Sequence, residues 1–95
     1  MTIAKWNGAI LAESRSCIKL EDNYYFPPES INGEYFRKSN SHTTCLWKGQ
    51  ANYYDLEVNG KLNKDAAWYY PDPLPAAEYI RNYIAFRHGV EVMEN

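Results

Sequence analysis

Residues 51–70 read ANYYDLEVNGKLNKDAAWYY, and the fold is decided there. Ala51–Val58 alternates, with Asn52, Tyr54, Leu56 and Val58 on one side and Ala51, Tyr53, Asp55 and Glu57 on the other. Leu56 and Val58 mark the first set as the core face. Asn59-Gly60 is a hairpin-type turn, because both central residues of such a turn need positive φ. A return strand then runs toward Ala66–Tyr70. On alternation, Tyr54, Trp68 and Tyr70 are expected to share a face, while Tyr53 and Tyr69 point the other way.

The surrounding chain has the same character. Upstream, Thr43–Lys48 reads as a strand, β-branched at its start and aromatic at its end. Gly49 marks a bulge, and Tyr35–Arg37 is a shorter strand. Asn7-Gly8 joins expected strands Thr2–Trp6 and Ala9–Glu13. Ser16–Leu20 is a third strand, Glu21-Asp22-Asn23 a turn, and Tyr24–Phe26 the return. Pro27-Pro28 removes two backbone donors in succession and stops that strand. Glu29–Glu34 is a turn-rich loop. Downstream, Pro71-Asp72-Pro73 ends the sheet and a helix of about ten residues follows. Pro75 suits its first turn, and Ala76, Ile80, Tyr83 and Ile84 form one apolar stripe. Ala85-Phe86 and Val90–Val92 are short strands around His88-Gly89. The expected fold is mainly β: a curled antiparallel sheet or small barrel-like β-sandwich, with one short helix near the C-terminus packed on a face or closing one end.

Ninety-five residues suffice for one domain and not for two. The aromatic share is 16%, with nine tyrosines, so the core should be bulky and edged with hydroxyls. The net charge is −2 and no long basic run occurs, which argues against a nucleic-acid partner. The first residues, MTIAKWNGAILAES, lack the pattern of a signal peptide. No run approaches the roughly 18 apolar residues of a membrane span. The expected location is therefore cytoplasmic, with Cys17 and Cys45 reduced. There is no C-x-x-C pair, and His42 and His88 lie far apart, so neither a metal site nor a cofactor is implied.

Several segments resemble family 427 of the domains of unknown function. They are T-T-C-x-W-K-G-x-A-x-Y-Y from Thr43 to Tyr54, D-A-A-W-Y-Y-P-D-P-L-P from Asp65 to Pro75, and W-N-G-x-x-L-A-E-S from Trp6 to Ser14. Y-F-P-P-E from Tyr25 to Glu29 and A-F-x-x-G-V-E-V from Ala85 to Val92 also fit. Leu46 departs from the family's usual proline after the cysteine. The resemblance covers nearly the whole chain and implies a small, mainly β domain with a short helix. The family is sometimes labelled nucleotidyltransferase-like. That chemistry needs a Gly-Ser phosphate turn and clustered carboxylates to hold magnesium, and the chain has no G-S pair and no D-x-D.

Residues 39–75 carry the candidate chemistry. Lys48 beside Gly49 offers a cation and closely approachable backbone amides, an anion site in outline. Tyr54, Trp68 and Tyr70 would line an aromatic pocket with polar tips at its rim. Thr44, with Thr43 and Ser41, could add hydroxyl donors. Cys45 is a weak catalytic candidate: a nearby ammonium would activate its thiol, but residues three apart in a plain strand face opposite ways. Only a bulge would reunite Cys45 with Lys48, and a small buried cysteine is the simpler reading.

Three functional readings follow. The first is a β domain that binds a small anionic or aromatic molecule between Lys48-Gly49 and the Tyr54, Trp68 and Tyr70 aromatics. The second is a protein-interaction or homodimerisation module using Tyr53, Tyr69 and an exposed sheet edge. The third is an enzyme using Cys45.

Overall fold

A computed structural model describes residues 1–95. Nine strands form three antiparallel sheets. Thr2–Trp6 (β1) and Ala9–Ser14 (β2) form the first hairpin, and Glu91–Glu94 (β9) pairs with the other edge of β1. Ile18–Leu20 (β3) and Asn23–Tyr25 (β4) form a separate two-stranded ribbon. Phe36–Cys45 (β5), Gly49–Val58 (β6), Lys61–Tyr69 (β7) and Ala85–Phe86 (β8) form the main sheet in that order.

Asn7 and Gly8, at φ of 50° and 81°, turn the first hairpin as their types predict. Asn59 and Gly60, at 51° and 77°, turn β6 into β7. The β3–β4 turn differs. Its two central residues, Glu21 and Asp22, stand at 53° and 66° with no glycine to accommodate them.

The main sheet is buried on both faces. Tyr54, Leu56 and Val58 look toward one cluster with Ala4, Leu11, Ala12, Phe26, Ile84 and Phe86, where the β1–β2–β9 sheet packs. Ala51 and Tyr53 look toward another, with Tyr25, Tyr70, Ala77, Ile80 and Ala85. Consecutive residues at two junctions are split between the clusters: Tyr25 and Phe26, then Ala85 and Phe86. This is strand alternation stitching two cores with one piece of backbone.

Both neighbours of β6 are bulged. Ser39, Asn40 and Ser41 on β5 lie across from Tyr53 alone, and Lys64, Asp65 and Ala66 on β7 lie across from Asp55 alone. The Asp65 backbone, at φ of 53°, donates its N–H to the Asp55 side chain at 2.8 Å. The Asp65 carboxylate accepts from the Ser39 and Ser41 hydroxyls at 2.5 and 2.8 Å. These bonds tie the two bulges together and hold the Asp65 carboxyl below its ordinary range.

The structure corrects several expectations. No sheet closes into a barrel, because β5 and β8 remain edges of the main sheet. The C-terminal helix does not form. Pro75–Ile80 makes short 3₁₀ turns interrupted at Ala77, and Arg81, at φ of −50° and ψ of 123°, has left the helical region. The donors a helix would use go elsewhere: Asn82 N–H to the Tyr70 carbonyl at 3.1 Å and Ile84 N–H to that of Phe26 at 2.8 Å. A ten-residue helix has little stability of its own, so these tertiary bonds prevail. Ala77 and Ile80 are buried while Ala76 is exposed, the i, i+3 spacing of 3₁₀ geometry. Tyr35–Arg37 and Thr43–Lys48 are replaced by one strand, β5, that ends at Cys45.

Candidate functional site

The β5–β6 hairpin turns through Leu46, Trp47 and Lys48, closed by the Cys45–Gly49 pair. Gly49 has a φ of 112°, and a Cβ there would lie 3.3 Å from the Leu74 nitrogen and 3.4 Å from the Asp72 carbonyl oxygen. Glycine therefore lets the Asp72–Leu74 segment lie directly on the turn. Leu74 N–H donates to the Lys48 carbonyl at 2.9 Å. That bond fixes the backbone from which the Lys48 side chain departs.

Lys48 turns inward, and its side chain is only 10% exposed. Its Nζ lies 5.6 Å from the centroid of the Trp47 ring and 5.6 Å from that of Tyr70. Two π faces thus replace part of the water the ammonium has lost. The charge itself is met by Glu21, whose Oε1 accepts from Nζ. Glu21 Oε2 accepts from Trp47 Nε1 at 3.3 Å, so one carboxylate bridges lysine and indole. Burial, the largest single influence, would lower the Lys48 pKa; the Glu21 bond together with the charges of Tyr25, Tyr70 and Glu21 outweighs it and holds the ammonium above its ordinary range. The same bond holds the Glu21 carboxyl below its ordinary range. Burial pushes the Tyr70 phenol up to about 12 against the opposing pull of Lys48.

Trp68 stands behind this group. Its ring meets Tyr25 edge-on with centroids 6.2 Å apart, and its Nε1 donates to the Tyr25 hydroxyl at 3.3 Å. Lys48, Gly49, Tyr70 and Trp68 therefore gather at one end of the second core cluster, with Cys45 and Trp68 both partly buried against it. Cys45 ends β5, so the opposite-face argument no longer applies, but the Lys48 charge is directed to Glu21.

Tyr54 does not belong to this group. It stacks on Tyr69 at 4.7 Å and meets Phe36 edge-on at 5.4 Å, on the other face of the sheet. The reason is register: a two-residue turn opposes even-numbered residues to odd ones, and the β7 bulge adds two residues, leaving that parity intact. Tyr53 is thus opposite Trp68, and Tyr69 is opposite Asn52. Tyr53 is buried within the chain at 6% exposure, so it is not on a free face. Thr44 is exposed opposite Gln50.

Sequence reasoning missed Glu21 and Trp47. Glu21 lies 27 residues from Lys48, and no local spacing joins them. The one available signal was a glutamate in a turn that favours Asn, Asp or Gly. No deep concavity opens beside the cluster, where the Glu21 carboxylate covers Lys48.

A family model described as a domain of unknown function (DUF427) matches residues 2–95, and the chain belongs to that family. No curated protein matches the chain. No helix is long and apolar enough to cross a membrane.

Proposed function

We propose that this domain binds a small anionic molecule at Lys48, and that Glu21 occupies the position the ligand's carboxylate or phosphate takes. The observation that carries this reading is the Glu21 carboxylate bridging Lys48 and Trp47 from a left-handed turn. Glutamate at positive φ is strained and persists only where its surroundings hold it. Its side chain is 49% exposed, while the lysine it covers is buried. The β3–β4 ribbon that carries it has three residues per strand and pairs with no other sheet. Such a ribbon is marginal alone, so its tip can yield to a competing anion.

Lys48 and Trp47 Nε1 would bind the anionic group, and the Tyr70 ring would form the floor beneath it. An aromatic portion on the ligand would find Trp47, which is partly exposed. Trp68 and Tyr25 hold the floor in place. Neither a nucleotidyl transfer nor a cysteine reaction has comparable support, because no phosphate loop exists and no base contacts Cys45.

The test is a thermal-shift screen against nucleotides, sugar phosphates, carboxylates and thiols, run on the native protein, Lys48→Ala and Glu21→Gln. A hit that vanishes in Lys48→Ala and strengthens in Glu21→Gln supports the reading. A hit that ignores both substitutions refutes the site.

A second reading is supported by the edge of the main sheet. β5 is ten residues long and has no neighbour on one side. A second copy could pair there, although its central bulge would interrupt a continuous ladder.

A further inference from the structure

Three of the chain's four arginines make side-chain contacts, and their surroundings differ. The Arg81 fork is filled by Glu78, with Nε and Nη2 donating to its two oxygens at 2.6 and 2.8 Å. Arg37 pairs with Glu57 at 3.4 Å. Arg87 is fixed as firmly, but by neutral groups. Its backbone N–H donates to the Ala66 carbonyl at 2.9 Å, and its Nε donates to the Asp65 carbonyl at 2.8 Å. Its guanidinium carbon lies 4.8 Å from the centroid of the buried Tyr53 ring. Nη1 and Nη2 donate to no group of the chain, and no carboxylate pairs with them.

Asp65, whose carbonyl accepts from Arg87, has its carboxylate committed to Ser39 and Ser41. On the same ring, the Tyr53 hydroxyl shares a 2.8 Å hydrogen bond with the hydroxyl of the exposed Thr43. A guanidinium held by a carbonyl and an aromatic ring loses little rotamer freedom when it binds, and two parallel N–H groups match an oxyanion.

We propose that Arg87, seated on Tyr53, is a second oxyanion-binding site, separate from Lys48, with the Thr43 hydroxyl as its neutral partner. Its ligand class is a phosphate or carboxylate carried on a small solute. The site uses a β8–β9 residue and two main-sheet residues, and none of the Lys48 contacts.

The test titrates the full chain with inorganic phosphate and, separately, with acetate, reading the Arg87 Nε–Hε and Thr43 amide resonances by NMR. Saturable shifts at both positions are expected. Arg87→Lys, which keeps the charge and loses the fork, should weaken binding by about tenfold or more. Lys48→Ala should leave it unchanged, which separates this site from the proposed ligand site. Saturation by phosphate alone identifies a phosphate site, and saturation by acetate as well identifies a general oxyanion site. Shifts that stay linear with both probes, or equal affinity in Arg87→Lys, would overturn the proposal.

Discussion

Lys48 and Glu21 meet across 27 residues of chain and join the β5–β6 turn to the β3–β4 turn. Each end of the pair is unusual. The lysine is buried between two aromatic rings, and the glutamate stands at positive φ. The consequence is a buried cation, preset in direction and covered by one carboxylate.

The pair makes stability depend on acid. The Glu21 carboxyl is held below its ordinary value of 4.5, chiefly by the Lys48 bond. A depressed folded pKa stabilises above the unfolded value, and that contribution is lost as pH falls through the folded one. The Asp65 carboxyl, held below 3.8 by Ser39 and Ser41, acts in the same direction over a lower window. The melting temperature should fall progressively below pH 4.5, and Glu21→Gln should flatten the upper part of that fall. Melting curves across the acid range check this.

The alkaline side depends on Tyr70. Its folded pKa, near 12, exceeds its ordinary value of 10. A raised folded pKa stabilises fully below the unfolded value and is lost as pH rises through the folded one. Stability should therefore decline between those two values. Tyr70→Phe should be less sensitive there, as measured by urea unfolding at fixed alkaline pH.

Gly49→Ala should cost about 1–3 kcal/mol, since alanine would be strained at a φ of 112°. The new Cβ would also press on the Leu74 nitrogen, the donor that fixes Lys48. Urea denaturation gives the stability change. A shift of the Leu74 amide resonance would report the displaced turn.

Leu56→Ala should cost about 2–5 kcal/mol, because Leu56 is fully buried beneath the β1–β2–β9 sheet. The same substitution at Leu62, which is exposed, should have little effect. Comparing their unfolding midpoints tests the assignment of that core.

Much of this fold could be read from short-range chemistry. Asn7-Gly8 and Asn59-Gly60 announce their hairpins because few residue types accept two successive positive φ values. Pro71 and Pro73 end strand β7 for an equally local reason, although the sheet gains β8 further on. What could not be read depends on distant partners. Ser39–Ser41 looks like a loop between two strands, yet Asp65 holds it as a bulge within one strand. The stripe from Ala76 to Ile84 has helical spacing, yet Tyr70 and Phe26 take its backbone donors.

The candidate site was legible only in part. Lys48 and Gly49 stood out as a cation beside a flexible residue, and Tyr70 and Trp68 do lie on their side of the sheet. Tyr54 was grouped with them by parity along one strand, whereas register across the turn sends it to the opposite face. Glu21 carried no pattern that could link it to Lys48, because the ribbon bearing it joins the rest of the fold through Tyr25 packing and the Phe26–Ile84 bridge, both set by distant partners.

The most direct test of the central claim is calorimetric titration of the native protein, Glu21→Gln and Lys48→Ala with the strongest anionic ligand from the thermal-shift screen. Tighter binding to Glu21→Gln than to the native protein, with none to Lys48→Ala, is the predicted result. Equal affinity for all three proteins would contradict the claim that Glu21 stands where the ligand's anion binds.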